Sequence, residues 1–127
     1  QVDCVIHLAA RVHQMRDRAT DPLQEFRAVN TEATRQLAIA AAKSGVRRFI
    51  YLSSVKVNGD GQPDPYTELI KPNPQDPYGI SKWEAECGLQ EIAAETGLEV
   101  VILRPPLIYG SGVKANFLRL MQLVDRQ

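Results

Sequence analysis

The 127-residue chain carries 15 basic and 15 acidic side chains, so its formal net charge is zero, and 44% of its residues are hydrophobic against 24% charged. That is ordinary for one modest globular domain, and it gives no electrostatic case for a nucleic acid or an anionic membrane as partner. No apolar run approaches the ~20 residues that span a bilayer and no signal-peptide pattern opens the chain; two cysteines and two histidines suggest neither a disulfide framework nor a metal cluster, so the cytoplasm is the expected compartment.

Residues 2–10 form a short, almost continuous apolar run, the pattern of a strand buried on both faces in a parallel sheet. Such a strand needs neighbours on both sides, so the chain is expected to begin inside a larger domain. Cys4 in this run and Cys87 further on read as small buried hydrophobes. Asp21-Pro22 is a helix-start signature, and Leu23, Phe26, Val29, Ala33, Leu37 and Ala40 follow at helical spacing until Ser44-Gly45. Phe49 to Leu52 is a second strand, with Ser53 and Ser54 at its C-terminal end. A turn-rich loop, Lys56 to Gln75, follows; loops of this length in compact domains are usually functional or disordered.

Asp76-Pro77 opens a second helix, which runs to about Glu95 and stops at Gly97. Ile80, Trp83, Cys87 and Ile92 can face its core. Glu99 to Leu103 is a third buried strand, ended by Arg104-Pro105-Pro106. Asn116 to Val124 reads as a final helix with Phe117, Leu120, Met121 and Val124 apolar. Strand and helix alternate three times, which argues for a parallel sheet with right-handed crossovers. In open sheets of this class ligands bind beyond the C-terminal strand ends, here Ala9-Ala10, Ser53-Ser54 and Arg104-Pro105.

Tyr78 and Lys82 are four apart and share a helix face. An ammonium close to a phenol favours the phenolate, so the pair can move a proton near neutral pH. Ser54 ends one strand, and Tyr78 begins the helix reached through the loop. A hydroxyl, a phenol and an ammonium at one rim can act on a carbinol or ketone: Ser54 holding the substrate oxygen, Tyr78 exchanging its proton, Lys82 stabilising the phenolate. Hydride must come from a nicotinamide. Read alone, Ser54 is a turn serine bonded to local backbone.

Four ordered blocks, His7-Leu8-Ala9-Ala10, Tyr51-Leu52-Ser53-Ser54-Val55, Pro77-Tyr78-Gly79-Ile80-Ser81-Lys82 and Leu103-Arg104-Pro105 to Tyr109-Gly110, resemble the extended short-chain dehydrogenases/reductases. Within these, the resemblance is to the NAD-dependent epimerase/dehydratase enzymes that act on nucleotide sugars, UDP-glucose 4-epimerase among them. It implies a partial Rossmann-type, doubly wound parallel sheet of three strands alternating with helices. It implies Tyr78 as acid/base, Lys82 on the nicotinamide ribose, and Ser54 as the residue positioning the sugar oxygen. Leu8, Ala9, Ala10, Leu52, Ser53 and Pro105 would line NAD, with NADP equally compatible. Asn30 would have a cofactor-side or structural role, and Asn116 would lie near the substrate diphosphate. The two long helices would form a homodimer interface.

The sequence also departs from that pattern. No Gly-rich G-x-x-G-x-x-G turn occurs. Residues 1–127 are therefore expected to be a single partial NAD(P)-binding domain lacking its N-terminal portion, inactive alone. Val57-Asn58-Gly59 replaces Val-Tyr-Gly. Leu107 stands where 4-epimerases often have Asn, and no Asp-Glu pair accompanies Ser54. Epimerase, dehydratase and ketoreductase chemistry all stay open. The alternative is a non-catalytic dinucleotide-sensing or association module of the same fold.

Overall fold

The computed structural model describes residues 2–12, 20–61, 65–67, 69–110 and 115–125, with the side chains of 115–117 left aside. Strands β1 (Cys4–His7), β2 (Arg48–Leu52) and β3 (Glu99–Leu103) form one parallel sheet in the order β1-β2-β3. Val5 pairs with Phe49 and Phe49 with Val100, so equivalent residues stand in rows across the sheet. Each strand alternates in burial as the pleat requires. Phe49 and Tyr51 point into the core, with Val5 and Val100 packed beside them. Ile6, Val101 and Leu103 face the other way and are exposed. The first strand is shorter than the apolar run suggests, because only Cys4 to His7 pair with β2.

Asp21 caps the first helix as its sequence signature predicts, accepting from Gln24 N at 3.1 Å. The helix then runs as α1 (Pro22–Phe26), a π-helical segment (Arg27–Glu32) and α2 (Ala33–Lys43). The π segment has a physical consequence. Its wider turn rotates everything downstream relative to a continuous 3.6-residue repeat. The predicted stripe therefore holds only as far as Phe26, with Leu23 half-buried before it: Val29 and Leu37 are 41% and 39% exposed, and the buried positions beyond Phe26 are Asn30, Thr31, Thr34, Ala38 and Ala41. Polar residues can occupy that face because their partners are inside. Thr31 Oγ1 donates to Ser81 O at 2.9 Å, and Thr34 Oγ1 meets His7 Nε2 at 2.9 Å.

After β2 the chain makes a short 3-10 turn, Val55–Asn58, capped by Ser54. The loop beyond folds back on it: Asn73 N donates to Val57 O at 3.0 Å, and Tyr66 Oη donates to Gly59 O at 3.0 Å. Helix α3 (Pro77–Thr96) follows, ending at Gly97 with φ +75°, a left-handed stop that a side chain would strain. Its core face is Ala85, Leu89 and Ile92 against Ala38, Ala41, Phe49 and Tyr51. Gly88 permits the close approach of α2, since a Cβ there would stand 2.9 Å from Arg35 Cγ. Ile80, Trp83 and Cys87 are only half-buried, displaced from the core by Lys82 and Glu86 on the same helix. Neither cysteine is a buried hydrophobe: Cys4 lies on the outer face of the sheet and is exposed, and Cys87 is half-buried. Helix α4 (Ala115–Val124) forms as expected, with Leu120, Met121 and Val124 exposed. The Phe117 side chain lies outside the described residues.

Candidate active site

The N-terminus of α3 is fixed before any functional group is considered. Asp76 Oδ1 accepts from Gly79 N at 2.7 Å, and Pro77 takes the first helical position, where a missing N–H costs nothing. Gly79 lets this first turn press against the 3-10 turn: a Cβ there would stand 2.9 Å from Lys56 O. Tyr78 is therefore brought against the C-terminal end of β2, where Ser54 sits.

Tyr78 and Ser54 meet. The Ser54 hydroxyl lies close enough to the Tyr78 phenol to draw its pKa down, while burial, the larger influence, and the Asp76 carboxylate push it up; the net direction is up. Ser54 Oγ also accepts from Lys56 N at 3.2 Å, so the local turn role and the site role coexist in one hydroxyl. The Tyr78 ring rests edge-on against Phe26, with centroids 6.0 Å apart.

Lys82 is 1% exposed, and its Nζ donates to Leu52 O at 2.9 Å. The ammonium lies 4.5 Å from the Tyr51 ring centroid and 6.0 Å from that of Tyr78. Burial lowers its pKa from 10.5 to about 8, with Glu86 opposing. The sequence expectation of a phenol depressed by its lysine is not met at Tyr78, because burial disfavours the charged form of each group and so raises the phenol and lowers the ammonium. Burial and the charge of Lys82 also lower the pKa of His7.

Of the other residues singled out from sequence, Leu8 is 62% exposed and Ala9 is exposed at the open end of β1, with Ala10 half-buried beside them. Leu52 contributes its carbonyl to Lys82. Ser53 is buried, and its hydroxyl donates to Glu86 Oε1 at 2.5 Å. Its backbone N donates to Leu103 O at 2.7 Å, and Val55 N donates to Pro105 O at 3.0 Å, so the ends of β2 and β3 are stitched together. Asn30 is fully buried and behaves as a clamp. Its Oδ1 accepts from Arg11 N at 2.8 Å, and its Nδ2 donates to Arg11 O at 3.0 Å and to Ser81 Oγ at 3.0 Å. It thereby joins the segment after β1 to α3. Asn116 belongs to α4, but its side chain lies outside the described residues.

Sequence reasoning missed Glu86 and Arg104. Glu86 is 0% exposed, and it accepts from Arg104 through Nε at 3.0 Å and Nη2 at 2.5 Å. Arg104 Nη1 donates to Asn58 Oδ1 at 2.8 Å. The available signal was position: Glu86 follows Lys82 by four residues on one helix face. A cavity of about 550 Å³ opens beside this pair, lined among others by Asn58, Tyr66, Gln90 and Pro106. Among the described residues there is no group of acidic, histidine or cysteine side chains suited to a metal.

The family model for the NAD dependent epimerase/dehydratase family matches residues 1–123. A UDP-glucose 4-epimerase of Vibrio cholerae is 49% identical over 124 residues, which is 96% of this chain and 38% of that protein. The solved structure of UDP-glucuronic acid 4-epimerase from Bacillus cereus with NAD superposes with a TM-score of 0.80 at 28% identity, over 98% of this chain and 39% of that one. A dTDP-glucose 4,6-dehydratase double mutant from Streptomyces venezuelae, solved with NAD bound, gives a TM-score of 0.83 at 29% identity over the same shares. The chain thus spans about two fifths of the length of the relatives it matches.

Proposed function

The chain belongs to the NAD-dependent epimerase/dehydratase family, and on that premise we propose that it is the partial dinucleotide-binding domain of a longer enzyme that epimerises, dehydrates or reduces a nucleotide sugar through Ser54, Tyr78 and Lys82. The observation that carries this reading is the Tyr78 phenol brought beside Ser54 at the end of β2, with the wholly buried Lys82 four residues on along the same helix.

NAD is the cofactor of this reading, and the residues present fit its nicotinamide end. Lys82 brings a buried ammonium to the rim, and its bond to Leu52 O uses one of three donors. The small Ala9 and Ala10 at the end of β1 leave backbone open to a flat ligand. The Gly-rich turn that would seat a pyrophosphate on a helix N-terminus is not in these 127 residues. When bound, NAD supplies the acceptor and donor of hydride at a sugar carbon. Ser54 holds the sugar oxygen by hydrogen bonding. Tyr78 exchanges a proton with that oxygen: its raised pKa keeps it protonated at neutral pH and ready to donate to a ketone oxygen, and it must first release that proton before it can take one from a carbinol. Lys82 offers hydrogen bonds to the ribose and charge to the Tyr78 oxygen. Asn116 contacts the substrate diphosphate. The long helices form a homodimer interface, a role to which the exposed Val29, Leu37 and Ile39 are suited.

The test is made on the full-length protein, by following nicotinamide absorbance with UDP- and dTDP-sugars. Tyr78→Phe is expected to lower turnover by about 10²–10⁴-fold, the usual worth of general acid–base catalysis. Unchanged turnover would remove Tyr78 from its role. Tight dinucleotide binding by the unsubstituted protein without turnover would favour the sensing alternative.

A further inference from the structure

Three pieces of backbone carry the site: the end of β2 with Ser54, the start of α3 with Tyr78 and Lys82, and the end of β3 with Pro105. One side chain outside the trio is tied to all three. Glu86 sits on α3 one turn beyond Lys82, accepts from Ser53 at the end of β2, and accepts from Arg104 at the end of β3. The connection extends further. Arg104 Nη1 reaches Asn58 Oδ1 at 2.8 Å, and Asn58 closes the 3-10 turn that Ser54 opens. Ser54 is therefore held on both sides, through Ser53 before it and through Asn58 after it, and both tethers end on one carboxylate.

We propose that Glu86 is the positioning residue of this site, fixing the segment from Ser53 to Asn58 against α3 and placing a buried negative charge on the helix face of Lys82. The inference rests on the proposed role of Ser54, Tyr78 and Lys82, and it goes beyond it by assigning what keeps them in register.

A purely structural ion pair offers a competing account. Buried pairs are weak evidence for stability, and apolar residues often replace them without loss. Three features set this carboxylate apart. It is wholly buried although its arginine is partly exposed, with 0% against 22% of the side chain accessible. It takes a serine hydroxyl that an ion pair alone does not need. It also shares a helix face with the lysine whose charge the site uses. The groups facing Lys82 are His7 from β1, Tyr51 from β2, and Tyr78 and Glu86 from α3 itself. Glu86 is the one acid among them. Removing its charge leaves the ammonium to desolvation alone.

The test needs no turnover, so its failure is separable from failure of the catalytic reading. Lysine ¹³Cε labelling of the 127-residue chain reports the Lys82 titration by NMR. Glu86→Gln is expected to move the Lys82 midpoint below its value in the unsubstituted chain by at least threefold in proton affinity. A folded Glu86→Gln chain with an unmoved midpoint overturns the proposal. If Glu86→Gln leaves Arg104 too poorly paired to fold, the exchange measurement on Ser53→Ala that follows decides the proposal on its own. The tether is tested separately. Ser53→Ala is expected to speed amide exchange at Val55 and Val57 at least tenfold, with Ser53→Thr restoring protection. Equal exchange in the Ala variant overturns the positioning role.

Discussion

Lys82 makes a residue-scale claim with a definite sign. Its pKa in the folded chain lies near 8 rather than 10.5 because burial disfavours the ammonium. Below pH 8 both states carry the proton and the folded chain bears the full penalty of burying it. Between pH 8 and about 10 the folded chain releases that proton while the unfolded chain keeps it, so stability gained from this group rises with pH. Tyr51 and Tyr78 act oppositely at higher pH, since burial raises both and the unfolded chain ionises first. Urea unfolding from pH 7 to 10 should therefore show a rise in the unsubstituted chain that Lys82→Met lacks. At pH 7 that variant should be the more stable, on the order of 1–3 kcal/mol from a shift of this size. A parallel pH dependence in both chains would mean that Lys82 titrates normally. Ser54, Tyr78 and Lys82 were legible in the sequence because their spacing and strand-end positions follow from local rules. Glu86 was not. Its spacing puts it on the face of Lys82, but spacing alone does not say that this acid, among several on the helix, is buried; that depends on Ser53 and Arg104, which lie on other elements.

At the scale of elements, helix starts and stops were read well and helix faces poorly. Asp21, Asp76 and Gly97 act through groups within a few residues, so their signals survive in one dimension. The phase of the first helix depends on six residues of π-helix, Arg27–Glu32, and its weak helix formers Val29, Asn30 and Thr31 do not by themselves specify a wider turn. Its buried side is defined by what it meets: Asn30 by Arg11 and Ser81, Thr34 by His7. Asn30→Ala would remove three hydrogen bonds, with Arg11 N, Arg11 O and Ser81 Oγ, and it should cost about 2–4 kcal/mol at roughly 1 kcal/mol or more for each bond. Chemical denaturation checks the cost. The start of α3 makes a second prediction. Gly79→Ala puts a Cβ 2.9 Å from the backbone carbonyl of Lys56, where no flexible side chain can yield. The turn carrying Ser54 must move away from Tyr78, with an overpacking cost of about 1–3 kcal/mol. The discriminating readout is the Tyr78 phenol. Losing the nearby Ser54 hydroxyl should raise its pKa further in an ultraviolet titration, whereas loss of stability alone would leave it unmoved.

For the whole molecule, the sheet is the unsatisfied element. Its inner face packs on α2 and α3, but the outer face presents Ile6 at 62% exposure, with Leu8, Val101 and Leu103 also exposed. Among the described residues β1 pairs with β2 alone, which leaves the other side of the strand open to a further partner. Apolar surface of this kind associates. Other apolar side chains open to association are Val29, Leu37 and Ile39 on the first helix, each less exposed than Ile6, and Leu120, Met121, Leu123 and Val124 on α4. The 127-residue chain is therefore expected to self-associate through the sheet rather than through α2. Sedimentation velocity over a hundredfold concentration range should show mass increasing with concentration. Ile6→Lys should shift the population toward monomer, and Leu37→Lys should not. Amide exchange adds an independent check. In a parallel strand successive N–H groups point to opposite sides, so in a monomer only one of Val5 and Ile6 can donate to β2. Slow exchange at both amides in a concentration-independent monomer would mean that the outer edge of β1 is already satisfied, and the sheet would lose its claim as the association surface.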